Sequence, residues 1–164
     1  MSEPNHIDLD AVARARHALH ADHPTHRPLA KNHDLVGLHG EKALADFFGG
    51  SVDITMRPGG DAGVDLWANF RRRDGTVDRF RIDAKCARKP YNLIVERGKC
   101  QAETIYVLAR FEDDPPRATL LGWEWGETLL RTKPRDFGYG VLNHHLPAAK
   151  LRGLQELLSR MVVS

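Results

Sequence analysis

Three carboxylates and a lysine stand where their neighbours leave an idle charge no easy place. Apolar residues recur at Leu38, Leu44, Ala45 and Phe48 with helical spacing, and Glu41 falls inside that stripe. His39, Lys42 and Asp46 already occupy the opposite face, where a solvated glutamate would sit. Further on, Val64, Leu66, Ala68 and Phe70 alternate as one strand face, so Asp65 shares the other with Trp67 and Asn69. Phe80, Ile82, Ala84 and Cys86 repeat the pattern, with Arg79, Arg81, Asp83 and Lys85 opposite. Burying a carboxylate is costly unless it is paired, neutralised or bound to a cation. Carboxylates offer hard oxygen donors, and an ammonium two residues along the same strand face steadies negative charge beside them. Each position alone has a bland reading: a salt-bridged stripe edge, a solvent-facing strand end, the polar outer face of a half-exposed sheet. Their order is less ordinary, because Gly-Gly-Asp-Ala-Gly-Val-Asp leads into one strand and Asp-Ala-Lys lies on the next.

The elements that must position these groups follow from periodicity. A short amphipathic helix is expected from Asp8 to about Leu19, stopped by His23-Pro24 and Arg27-Pro28. A second helix starts near Asp34 and ends at Gly49-Gly50. Strands are expected over Ser51 to Arg57, Val64 to Phe70 and Val77 to Ala87, with turns at Pro58-Gly59-Gly60 and Asp74-Gly75. Ile105 to Phe111 and Ala118 to Trp123 are further strands around an Asp113–Pro116 turn, and Asn92 to Glu96 looks extended. Glu124 to Arg131 reads as a short helix, and Ala148 to Met161 as a longer one through Leu151, Leu154, Leu157 and Leu158. The fold class is α/β: one domain with a central mixed sheet flanked by helices. Residues 1–33 form a helical extension, 34–123 the core and 124–164 a helical segment.

Composition sets the outer limits. A chain of 164 residues with 41% hydrophobic and 28% charged residues builds one real core and is not a disordered chain. No apolar run approaches a bilayer span, and the acidic N-terminal stretch lacks the pattern of a secretory signal. Two cysteines are too few for a disulfide framework, so a reducing cytoplasm with free thiols is expected. The net charge of +2 hides an uneven distribution: residues 71–99 carry ten basic and four acidic side chains, +6, leaving −4 elsewhere.

The set Glu41 in GEKALADFF, Asp65 in GGDAGVDL, and Asp83 with Lys85 in RIDAKCAR resembles the PD-(D/E)XK nuclease superfamily. The Gly-rich approach is similar to Mrr-like restriction endonucleases, and the helical glutamate to archaeal Holliday-junction resolvases. The likeness covers roughly residues 34–111. It implies a restriction-endonuclease-like αβββαβ core with helical additions at both ends, and a metal-dependent DNA endonuclease of restriction, repair or recombination type. Asp65 and Asp83 would be the primary Mg²⁺ ligands, with the Ala84 carbonyl as a third and Glu41 completing the set; Mn²⁺ would substitute. Lys85 would orient water and stabilise the transition state. Arg71, Arg72, Arg73, Arg81, Arg88 and Lys89 would contact DNA phosphates. A homodimer or a recruiting protein partner fits the class, and a membrane partner does not. Two departures stand out: Val64 replaces the usual proline before Asp65, and only Gly98 to Glu103 is left for the helix before the fourth core strand.

Two other readings compete. His17, His20, His23 and His26 recur every three residues, but Pro24 breaks the geometry and no cysteine is near, so they read as surface or capping residues rather than zinc ligands. The second functional class is a nucleic-acid-binding or interaction module that keeps the fold without activity. Trp123, Trp125, Tyr139, Asn143 and His144 are of types that stack on or contact bases, though Trp123 is read rather as core, and Cys86 as a buried thiol.

Overall fold

The computed structural model describes residues 33–49, 53–56 and 64–162. The first expected helix and the spaced histidines at 17 to 26 lie outside them.

Helix α1 (His33–Phe47) is followed by strands β1 (Asp53–Met56), β2 (Val64–Arg71) and β3 (Val77–Ala87). Next come β4 (Asn92–Glu96), β5 (Thr104–Asp113) and β6 (Pro116–Trp125). Helix α2 (Gly126–Leu130), strands β7 (Arg135–Asp136) and β8 (Leu142–Pro147), a single 3-10 turn (Ala148–Lys150) and helix α3 (Leu154–Arg160) complete the order. A five-stranded mixed sheet runs β1-β2-β3-β5-β6, and a three-stranded sheet runs β4-β8-β7. In the larger sheet β3 and β5 are parallel and the other neighbours antiparallel.

Alternation explains the layers. Leu66, Ala68, Phe70, Phe80 and Ile82 turn to one face and pack with Leu44 and Phe48 of α1, Leu157 of α3 and Trp123. Leu38, Leu44 and Phe48 are buried as the helical stripe required, while Lys42 and Asp46 pair on the exposed side at 3.4 Å. His39 does not stay in solvent: its ring packs on Phe111 with centroids 5.5 Å apart. The second face of the sheet carries Tyr106 and Leu108, and these pack with Leu93 and Val95 of β4 and Leu129 of α2.

Three expectations are corrected. The second sheet covers the face where flanking helices are expected, with only short α2 beside it. The β3-to-β5 crossover contains strand β4 and turns rather than a helix; β4 is held by β8, so the αβββαβ order loses its second helix. The C-terminal segment is not wholly helical, and Ala148 to Met161 is not one helix. Leu151 and Gly153 are extended (ψ 153° and 148°), and Arg152 exchanges backbone hydrogen bonds with Trp123 at 2.9 and 3.1 Å. That strand-like contact, and the buried ion pair from Arg152 to Glu124 at 2.8 Å, outweigh the local helical period. No helix among the described residues is long and apolar enough to cross a membrane.

Candidate active site

The two faces of β3 decide what meets what. Gly40 of α1 lies so close to β3 that a Cβ there would sit 2.8 Å from Cys86 Cβ and 3.4 Å from Ala84 Cβ. The helix therefore rests on the Ala84–Cys86 face. Glu41, the next residue of that helix, is half-buried. Ala84 is in register with Val107 of β5.

Asp83 and Lys85 project to the other face. Lys85 Nζ lies 3.0 Å from Asp83 Oδ2, with the carboxylate the less exposed partner at 21%. Beneath them Lys85 Nζ stands 6.0 Å from the ring centroid of Tyr106, the residue in register with Asp83. Tyr106 is buried, and its hydroxyl accepts the Gln101 N–H at 3.0 Å and reaches the Lys99 carbonyl at 3.4 Å. Burial pushes its phenol up to about 12, and the Asp83 charge adds to the rise. Cys100 is half-buried beside this group; burial raises its thiol, and Lys85 partly offsets the effect.

Asp65 follows from strand pairing. Leu66 is in register with Ile82, so Asp65 and Asp83 are the next residues along two neighbouring antiparallel strands. The described side chains include no cluster of three or more histidine, cysteine or acidic residues, and the Asp65 side chain lies outside them. The donor chemistry still suits a hard divalent ion, since what β3 offers is a partly exposed carboxylate with oxygen donors only.

The basic residues divide into engaged and open ones. Arg72 lies over Phe80, 4.9 Å from its centroid, and pairs with Asp78 at 2.7 Å. Arg88 forms a fork with Asp113 at 2.7 and 2.8 Å and covers Phe111. Arg71 donates to the Gly75 carbonyl at 3.0 Å, Arg81 is half-buried, and Arg73 and Lys89 are exposed. The arginine triplet sits at the β2–β3 hairpin tip, six residues up-strand of Asp83 counted from Val77, or roughly 20 Å along the strand. Arg88 and Lys89 follow β3 directly at the other end, next to Lys85. The triplet and the Arg88–Lys89 pair thus bracket the hairpin instead of crowding one point.

Tyr106 and Cys100 escape the sequence reading. The clue to Tyr106 was a hydroxyl-bearing residue within an otherwise apolar strand, opposite the aspartate. Compared with known proteins, the chain matches no family model, no curated protein and no solved structure.

Proposed function

We propose that this chain is a metal-dependent DNA endonuclease with a restriction-endonuclease-like core of the PD-(D/E)XK type, working in the cytoplasm. The observation that carries the reading is the Asp83–Lys85 pair at 3.0 Å on one face of β3, with Asp65 next to it on the neighbouring strand. The order helix, three antiparallel strands, crossover and parallel strand supports the same core. Asp65 and Asp83 would hold Mg²⁺ or Mn²⁺, with the Ala84 carbonyl as a further oxygen donor and Glu41, carried by the helix on the Ala84–Cys86 face, serving only through water or at a second ion; the ion, when bound, neutralises charge on the phosphoryl group. Lys85 holds a water or a phosphoryl oxygen beside Asp83, and its ammonium steadies the charge that grows as phosphorus is attacked. Water adds to phosphorus, one P–O ester bond breaks, and the departing oxygen leaves as a hydroxyl once protonated. Arg73 and Lys89, exposed at opposite ends of the hairpin, are the contacts most open to phosphates. Homodimerisation or a recruiting partner would supply the second cut of a duplex.

The test is cleavage of plasmid, linear, single-stranded and four-way DNA with Mg²⁺ or Mn²⁺, with and without EDTA. Wild type should cut, EDTA should abolish cutting, and Asp83→Ala and Lys85→Ala should each lose about 10²-fold or more. Wild type no more active than these variants would sink the nuclease reading and leave the inactive binding module in its place.

A further inference from the structure

A cleft of about 400 Å³ opens beside Lys85, between the ends of β3 and β5 on one side and β4 and β8 on the other. Its charged lining residues are Lys85, which is paired with Asp83 at 3.0 Å, and the exposed Lys89, so an anionic ligand would meet Lys89 most directly. Its walls carry Tyr91, Phe137 and Tyr139, with buried Asn143 behind. Tyr91 is 74% exposed and Tyr139 47%, which is unusual for large rings that the fold could have buried.

The rings are mounted on fixed backbone. The Tyr91 carbonyl accepts the Ala148 N–H at 3.0 Å. Tyr139 sits between Gly138 and Gly140, whose φ values of 104° and 75° suit glycine alone. Asp136 Oδ1 accepts the N–H groups of Gly138, Tyr139 and Gly140 at 2.8, 3.0 and 3.1 Å, closing the loop around one carboxylate. Asn143 donates to the Val141 carbonyl at 3.0 Å and anchors the loop's return.

We infer that this cleft takes unpaired nucleotides of single-stranded DNA, with bases stacked on Tyr91 and Tyr139 and phosphates against Lys89 and Lys85. Stacked rings with lysines at the rim are the chemistry of sequence-tolerant single-strand binding, because every base has a face to stack. An intact duplex keeps its bases inside and has nothing to offer the tyrosines. The inference rests on the nuclease reading for the choice of DNA over RNA and for its consequence: a strand seated here passes its backbone across Asp83 and Lys85, so cutting would select junctions, flaps or frayed ends.

The experiment is fluorescence polarisation in EDTA, where no cleavage interferes, with labelled oligothymidylate, a blunt duplex and oligouridylate. Tyr91→Ala and Tyr139→Ala should each weaken oligothymidylate binding by roughly tenfold, while Tyr91→Phe and Tyr139→Phe retain it. Blunt-duplex affinity should stay within about twofold in all four variants. Alanine variants that bind oligothymidylate like wild type, or that lose duplex binding equally, would overturn the inference. Tyrosine-dependent binding of oligouridylate tighter than of oligothymidylate would overturn the DNA assignment in favour of RNA. Metal-dependent cutting that is lost in Asp83→Ala but indifferent to the tyrosines would leave the nuclease standing and remove the cleft alone.

Discussion

Arg88 donates from Nε and Nη2 to the two carboxylate oxygens of Asp113, at 2.7 and 2.8 Å, tying the end of β3 to the end of β5. Its neighbour Lys89 is exposed. Adjacent cations that look equivalent in sequence therefore have different work. A double-mutant cycle on Arg88→Ala and Asp113→Ala should return a coupling of about 0.5–1 kcal/mol in urea denaturation. Lys89→Ala should leave stability unchanged and lower the slope of log K against log salt for DNA by about 1. A Lys89→Ala slope equal to wild type would remove that residue from the phosphate contacts.

At an ordinary helix interior, Gly→Ala stabilises by about 1 kcal/mol. Gly40→Ala should do the reverse, because the new methyl would meet Cys86 Cβ at 2.8 Å. A net loss of roughly 1–3 kcal/mol is expected in urea denaturation, as for other overpacked sites. A more stable variant would show that α1 can lift from β3 at no cost.

Alkaline pH should loosen the fold through a half-buried thiol and a buried phenol. Burial raises the Cys86 thiol to about 11 and the Tyr106 phenol to about 12. Both groups prefer the proton when folded, so their contribution is intact below the unfolded thiol's pKa of about 8.5 and is lost as pH rises through the folded values. Melting temperature should fall across that window, and Cys86→Ala should flatten its lower part. Alkylation of folded Cys86 at mild pH should run roughly a hundredfold slower than of the denatured chain.

Acid should act elsewhere. The backbone N–H of Gly138, with those of Tyr139 and Gly140, holds the Asp136 carboxyl below its usual range. A depressed acid pKa gives stability that is present above the unfolded value, about 3.9, and lost as pH falls through the folded one. Amide hydrogen exchange at Gly138, Tyr139 and Gly140 should speed up there relative to β5, and Asp136→Ala should show fast exchange at every pH. Protection that persists in Asp136→Ala would mean the loop is held by something else.

Much of the scaffold was written in local pattern. Val77 to Ala87 declares itself as a strand because its faces are chemically unlike, and α1 because its stripe has helical spacing. The same alternation puts Asp83 and Lys85 on one face of the strand. Two elements were hidden for physical reasons. Leu142–Pro147, with the sequence LNHHLP, has little strand character, yet it pairs with β4 along its length. Leucine spacing in 148–161 suggested one helix; the contacts of Arg152 with Trp123 and Glu124, beside the extended Gly153, break it. The seating of Gly40 on Ala84 and Cys86 was equally illegible, because which face of a sheet a helix covers is a tertiary fact. The cleft tyrosines, more than fifty residues from Asp83 in the case of Tyr139, converge only through the second sheet.

The pairing of β4 with β8 reaches beyond architecture. A boundary drawn at Trp123 by resemblance would cut between partners, leaving β4 as an open ladder in the middle of the crossover. A truncated 34–123 fragment should aggregate rather than fold as a soluble monomer. By the same token, a peptide carrying 142–147 supplied separately could complete such a fragment. A self-sufficient piece of this fold must therefore span both sides of the β4–β8 seam.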